Sequence, residues 1–505
     1  MMDRQGALRW LEAHAHAVPV FLEDEIPPDV LQTLRRLDLT IYIPGGVIVV
    51  RSPGDDRDMV VRSLLWPIVE RITSAYAPAV VERDSAVRLL LGRTDPGPEI
   101  RIRQTGKTRW REEILPGVAV RVESGDVSGF ERVDVGEASI PVDSPEAVLL
   151  TLPLQFLRDG GIEDVAIWMR SLTLARPALV AAYRRSPRPV VLKRLEHIAR
   201  DVGNERLADV IEGVLAEEQS VRIGRDRTDV GRGLVVPEEV VSAGTTRQPW
   251  LDRLRVAIRR SRDAVAEVVE EMGHPAPDTN LAGLLERAAR AKAYDAYHSS
   301  SIEGYRLSLD DVAVLLAGGT DGGRDIEDVR SKLAVIGYGI AFDRLLRRIS
   351  DADGDVALNT GLALDLYTDL FAPSVEAGII PAGDLRGWRT GPVFIRDTLY
   401  VPPSATKVSA MLDLLFEDLA EIGYQQGILR GILVHLWFVW VHPVPDGNGR
   451  TARFLMNTAF LGGGLPWLTI RVEQRDEYFA TLRSAQLEED FAPFARFILR
   501  SATPR

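Results

Sequence analysis

Apolar positions in the first 60 residues fall into two helical runs and two alternating ones. "GALRWLEAHA" and "PPDVLQTLRRL" predict short helices. "TIYIPGGVIVVRS" predicts two strands with Gly45-Gly46 at the turn. Helix, helix and β wing is the order of a small winged-helix module; a plain α/β cap is the other reading. Further on, "EIRIRQ" and "VAVRVES" alternate as strands do. "SPEAVLLTLPLQFL" and "PVVLKRLEHIARDVGNERLADVIEGVLAE" follow as helices. "DSPEA" supplies a cap residue, Pro and Glu in the order of a helix start.

The texture changes at Val221. "VRIGRDRTDVGRGLVVPEEVVSAGTTRQ" has no periodicity and is rich in Gly, Arg, Asp and Thr, which predicts a linker over 221–248. From Pro249 helical spacing dominates, with one interruption. "WRTGPVFIRDTLYVPP" carries two short strand-like pieces around Arg396-Asp397 and predicts a β-hairpin in an otherwise helical domain. The expected organisation is therefore multidomain. Residues 1–60 form a winged-helix-like module, 61–220 a mixed α/β and then helical region, 221–248 a linker, and 249–505 an all-α domain with a hairpin.

Composition narrows the function. A chain of 505 residues is too long for one core. Its formal net charge of -12 argues against a protein that coats nucleic acid or an anionic membrane. Acidic Glu23, Asp24, Glu25 and Asp29 crowd the first module, the wrong sign for a phosphate-contacting face. With no cysteine, disulfides, thiolate nucleophiles and cysteine-bound zinc are excluded. The start shows no apolar signal core, and "GILVHLWFVWV" is too short to span a bilayer, so a cytoplasmic protein is expected.

The chemistry concentrates in "HPVPDGNGRTAR", His442 to Arg453. The apolar "GILVHLWFVWV" before it is a buried helix that Pro443 ends. "DGNG" is a tight turn that leaves backbone amides uncovered, and the next helix begins at once. Arg450 and Arg453 then sit in a first turn, where cations oppose the helix dipole. A multiply charged anion, most simply nucleotide phosphates, reverses that sign. Asp446 fits beside such an anion if Mg²⁺ lies between them. His442 is read on the rim, with a pKa near ~6.5 suited to taking a proton from an attacking hydroxyl. His435, one of only seven histidines, reads as a packed core residue, since two histidines alone make a poor metal site.

This string resembles the Fic motif, HxFx(D/E)GNGRxxR, at every specified position but one, Val444 standing for Phe. "GWRTGPVFIRDTLYVPP" is similar to that family's target-docking flap. The resemblance spans about 249–505. It implies an all-α Fic core that transfers AMP from ATP to a Ser, Thr or Tyr hydroxyl of a protein. His442 would be the general base and Asp446 the Mg²⁺ ligand. Gly447, Asn448, Gly449 and Arg450 would cradle phosphates, and Arg453 would meet the γ-phosphate. Tyr478 or Phe479 would line the adenine pocket, core packing being the other reading. "SSSIEG" resembles the inhibitory motif (S/T)xxxE(G/N), with Ser299, Glu303 and Gly304 in the specified places. There the glutamate would pair with Arg453 and displace the γ-phosphate; a solvated helix end is the alternative.

A second resemblance covers roughly the first 160 residues. "IYIPGGVIVVR … RDSAVRLLLG … IPVDSPEAVLL" is similar to the AbiEi-type antitoxins, DNA-binding repressors with an N-terminal winged helix. The function expected is an autoinhibited protein adenylyltransferase, its target another protein or the chain itself. The alternatives are an antitoxin-like regulator that binds specific DNA and uses the Fic half as a nucleotide sensor, or an enzyme removing AMP. The oligomeric state stays open.

Overall fold

The computed structural model describes residues 4–14, 18–136, 138–217, 234–242, 245–246, 248–318, 326–391, 393, 395 and 398–502. They fall into two compact units. One comprises Met1–Val256 with Phe394–Ser404, the other Ala257–Val393 with Ala405–Arg505.

The first unit opens with α1 (Arg4–His14), β1 (Val20–Leu22), α2 (Pro28–Arg36), β2 (Thr40–Ile43) and β3 (Val47–Val50). The three strands form an antiparallel sheet in the order β1-β3-β2. Gly45 and Gly46 take φ of 93° and 75°, the left-handed pair that a two-residue hairpin turn needs. All of β3 is buried, because its alternate residues serve two cores. Ile48 and Val50 pack with Val30 and Leu34 of α2, while Val47 and Val49 belong to the larger core of the unit.

That larger core covers a six-stranded mixed sheet. Its elements are α3 (Arg57–Ser63), α4 (Leu65–Ala75), β4 (Ala79–Val81), α5 (Arg83–Leu90), β5 (Glu99–Gln104), β6 (Trp110–Leu115), β7 (Val118–Ser124), β8 (Phe130–Val135) and β9 (Ala138–Asp143). The strand order is β6-β7-β5-β4-β9-β8. Helices α6 (Pro145–Thr151), α7 (Leu154–Phe156), α8 (Ile162–Ser171), α9 (Arg176–Arg185), α10 (Pro189–Asp201) and α11 (Glu205–Glu217) follow. Ser144 caps α6 by accepting from the Ala147 amide at 3.4 Å, with Pro145 next to it. The single helix expected over "SPEAVLLTLPLQFL" is in fact broken: α6 stops at Thr151 because Pro153 denies it a donor. Of the linker expected over 221–248, residues 221–233 lie outside the described residues. The remainder holds a five-residue helix, α12 (Glu238–Ser242), with Val240 buried.

Helix α13 (Pro249–Met272) leads into the second unit, whose described regular elements are helices: α14 (Leu281–Ile302), α15 (Leu309–Leu316), α16 (Ile326–Asp351), α17 (Thr360–Glu376), α18 (Val408–Glu421), α19 (Gly427–Val441), α20 (Asn448–Gly462), α21 (Arg475–Glu488) and α22 (Ala492–Ala502). Every residue of α19 is buried, as its unbroken apolar run requires. It packs closely on α20: a Cβ at Gly427 would meet the Ala459 carbonyl at 2.5 Å, and one at Gly431 the Phe460 ring at 2.4 Å. The turn of the expected hairpin, Arg396-Asp397, lies outside the described residues. The described residues of 387–404 form no strand. No helix among the described residues is long and apolar enough to cross a membrane.

Candidate active site

Helix α19 ends at Val441, and His442 takes the left-handed conformation, φ 52° and ψ 58°. A non-glycine residue held there is strained, and such strain concentrates where a side chain must be aimed. The His442 Nδ1 faces the Val439 carbonyl at 3.3 Å, so Nδ1 carries the proton and Nε2 is left as an acceptor. Arg389 fixes the backbone here: its amide donates to the Pro443 carbonyl at 2.9 Å and its Nε to the His442 carbonyl at 2.8 Å. The expected pKa near ~6.5 needs correction. Burial drives the His442 imidazole down to about 4, and the charge of Arg389 adds to the fall, against the opposing bond to Val439.

The loop itself is braced by Asn448. Its Oδ1 accepts from the Val444 amide at 3.0 Å and its Nδ2 donates to the Val444 carbonyl at 2.7 Å. The Val444 side chain is fully buried, so it still packs inward in place of the larger Phe. Gly447 takes φ 85° and precedes α20 with no side-chain cap. The helix begins at Asn448, two residues before the expected start, so Asn448, Gly449 and Arg450 supply its first-turn amides.

Arg450 is 0% exposed. Its guanidinium lies between the rings of Tyr305 and Phe371, 5.1 and 5.0 Å from their centroids. Its Nη2 reaches Asp446 at 3.3 Å and the Tyr305 hydroxyl at 3.4 Å. Its Nε and Nη1 have no hydrogen-bond partner among the described residues. A buried cation with idle donors needs an anion, because leaving them unpaired is costly.

Arg453, also buried, is held by Ser299 and Glu303. Its Nε donates to Ser299 Oγ at 2.8 Å, and its Nη2 to the Ser299 carbonyl at 3.1 Å and to Glu303 Oε1 at 2.7 Å. Burial works against its charge, yet the Glu303 carboxylate holds its pKa above the ordinary value. A Cβ on Gly449 would meet Glu303 Oε1 at 2.3 Å, so this carboxylate rests against the amino end of α20. With α20 starting at Asn448, Arg453 falls in its second turn, and Glu303 is the anion that pairs with it beside the amino end of the helix. Its placement follows from a helix end. Helix α14 stops at Ile302, and Gly304 turns the chain with φ 94°. The Tyr305 amide returns to the Ser300 carbonyl at 3.2 Å and that of Gly304 to Ser301 at 3.0 Å, a glycine-terminated close.

Asp446 is half-exposed. Its Oδ1 accepts from the Gly447 amide at 2.6 Å and its Oδ2 from the Tyr305 hydroxyl at 3.3 Å. No cluster of three or more ligating side chains occurs among the described residues. Asp446 is the carboxylate beside the loop that could hold a hard cation carried in on phosphate oxygens. Tyr478 is 1% exposed, with its hydroxyl on Arg453 Nη1 at 3.4 Å; Phe479 beside it is half-exposed. The sequence reading missed Tyr305, Phe371 and Arg389. Arg389 lies inside the flap-like string, yet nothing local ties it, Tyr305 or Phe371 to the loop, and Phe371 and Arg389 are more than 50 positions from it.

The Fic/DOC family model matches residues 357–460. The chain is 32% identical over 208 residues to the protein adenylyltransferase fic-1 of Caenorhabditis briggsae, covering 40% of this chain and 38% of that protein. It is 30% identical over 246 residues to fic-1 of Caenorhabditis elegans, covering 48% and 45%. It thus spans less than half the length of these curated relatives. A solved structure of C. elegans Fic-1, residues 134–508, is 21% identical with a TM-score of 0.36, over 69% of this chain and 95% of that one. The stretch that the Fic/DOC family model matches, residues 357–460, contains His442, Asp446, Arg450 and Arg453.

Proposed function

We propose that the protein is an autoinhibited adenylyltransferase, moving AMP from ATP to a protein hydroxyl. The observation that carries this reading is Arg450: a fully buried guanidinium with idle Nε and Nη1 donors at the amino end of a helix. Phosphate oxygens satisfy both features at once. In the reaction, the target hydroxyl attacks the α-phosphorus and gives its proton to Nε2 of His442. The bond from the α-phosphorus to its bridging oxygen breaks, and pyrophosphate leaves. Arg450 and the first-turn amides hold the phosphates, while Arg389 keeps His442 aimed. Mg²⁺, when bound, neutralises phosphate charge from Asp446. The segment 387–403 would dock the target, supported by the Arg389 bonds beside the motif loop. Intact-mass analysis of the Glu303→Gly protein incubated with ATP and Mg²⁺ tests the reading: one added AMP is expected, and no added mass with any offered protein overturns it.

Asp446→Ala should abolish activity together with Mg²⁺ dependence, since it removes the carboxylate proposed to hold the metal. A Mg²⁺ titration of the variant checks this. Normal activity that still saturates with Mg²⁺ would put the metal elsewhere.

We further propose a winged-helix-like role for residues 1–60, supported by the β1-β3-β2 sheet packed on α2. Within it Arg35 pairs with Glu23 at 2.7 Å and lies 4.6 Å from the Tyr42 centroid, and Arg51 pairs with Asp38 at 2.7 Å, while its Glu25 pairs with Arg71 of α4 at 3.1 Å. The full chain should therefore show no tight binding to random duplex DNA at physiological salt. A gel shift over a salt series reads this, and tight, salt-sensitive retention is the contrary outcome.

A further inference from the structure

Arg453 is held on more sides than an inhibitory glutamate needs. A guanidinium is planar, with five N–H donors in a fixed fork. Nε and one N–H of Nη2 are taken by Ser299, through its Oγ and carbonyl. Nη1 gives an N–H to the Tyr478 hydroxyl at 3.4 Å. What remains is the outer pair, one N–H on Nη2 and one on Nη1. Glu303 takes the Nη2 donor. The pair is aimed at the amino end of α20, where a Cβ on Gly449 would lie 3.1 Å from Nη1.

The Tyr478 hydroxyl can support Arg453 only as an acceptor, so its own proton must go elsewhere. It goes to His435, whose Nε2 is 3.1 Å away. His435 is 0% exposed and stacks on Phe494 at 5.1 Å between centroids. Nε2 being the acceptor, the ring proton lies on Nδ1, which has no hydrogen-bond partner among the described residues. Burial, and then the charge of Arg453, push the imidazole well below its ordinary pKa, so it stays neutral and able to accept. An unmatched buried donor on Nδ1 is costly. A core histidine kept only for packing would be better replaced by an apolar residue.

We propose that Tyr478 and His435 are positioning residues that aim the outer fork of Arg453 at the terminal phosphate of a nucleoside triphosphate once Glu303 withdraws. This rests on the phosphate reading of the site given above. It makes Tyr478 and His435 determinants of triphosphate over diphosphate recognition. Neither has to touch the nucleotide.

The test compares binding of the α,β-methylene analogues of ATP and ADP, whose α–β bridge does not cleave, in the Glu303→Gly protein with Mg²⁺, by calorimetry. Glu303→Gly should prefer the triphosphate. Adding Tyr478→Phe should lower that preference roughly 3- to 10-fold, the range for one net hydrogen bond, and leave diphosphate affinity unchanged. His435→Leu should reproduce the loss, His435→Gln should retain the preference by supplying an acceptor at the Nε2 position, and Tyr478→Phe with His435→Leu should be no worse than either alone. An unchanged triphosphate preference in a Tyr478→Phe protein that melts like its parent overturns the positioning role and leaves the phosphate reading standing. Equal losses in His435→Leu and His435→Gln also overturn it. If Glu303→Gly binds neither analogue, the phosphate reading itself fails and the positioning role with it. Should His435→Leu not fold, the Tyr478→Phe and His435→Gln proteins decide.

Discussion

Glu303→Gly is expected to raise AMP incorporation roughly 10- to 100-fold, whether into the chain itself or into an added target. The magnitude comes from one contact. Glu303 Oε1 lies 2.7 Å from a buried Arg453 Nη2 and against the amino end of α20. A hydrogen bond to a charged group contributes about 1.5–3 kcal/mol, and each 1.4 kcal/mol is about tenfold in a population. Removing the carboxylate frees the outer donors of Arg453 and vacates the position of an anion at a helix start. Productive ATP binding should tighten with it, because the same cation no longer has an internal partner. Arg453→Ala should be inactive with or without Glu303, since it removes the phosphate partner itself. The double variant should behave as Arg453→Ala alone, a non-additivity expected only if the two side chains act on one another. Labelled-AMP incorporation by the parent, both single variants and the double, over a range of ATP, reads all of this. Equal incorporation by parent and Glu303→Gly would leave Glu303 as an ordinary helix end.

How far the sequence discloses this arrangement depends on where each signal resides. The hairpin at Gly45-Gly46 and the strands Glu99–Gln104 and Val118–Ser124 were legible because their information is local: two permissive glycines, or alternation along a strand with neighbours on both sides. Strands β6 and β8 were not, because they are the two edges of the sheet and carry charges such as Glu112, Glu113, Glu131 and Arg132 where alternation would show. Three-residue β4 is too short to show a period. In the helical unit the long buried run of α19 and the glycine turn after it gave the loop directly. Tyr305 escaped because its role depends on how α14 ends, with the turn at Gly304 carrying the phenol over to Asp446 and Arg450. His435 was rightly placed in the core, yet its bond to Tyr478, 43 positions away, is a tertiary fact. The pKa of His442 is the clearest case. A free imidazole near neutrality is the natural expectation for an exposed loop, and only the folded chain brings burial and Arg389 to it.

His442→Ala should lower transfer by about 10²–10⁴-fold while leaving ATP binding nearly unchanged. Among the described residues the imidazole has no hydrogen bond to Arg450 or to the first-turn amides of α20; its Nδ1 faces Val439, while the His442 backbone bonds Phe438 and Arg389. Loss of the side chain therefore removes a proton acceptor and no phosphate donor. The pH profile separates this role from a structural one. A base acts in its unprotonated form, so activity falls as pH drops through its pKa. With burial and Arg389 holding His442 near about 4, the acid limb assigned to it should lie close to pH 4 and the rate should be level from about pH 5 to 8. An ordinary histidine would place that limb near ~6.5. Arg389→Met, which removes the neighbouring charge and the bond to the His442 carbonyl, should move the limb upward and lower the rate at its plateau. The rate of AMP transfer against pH for the Glu303→Gly protein, with and without Arg389→Met, carries the measurement. Transfer at the parent rate by His442→Ala, or a limb near ~6.5 that ignores Arg389, would remove His442 from the role of base.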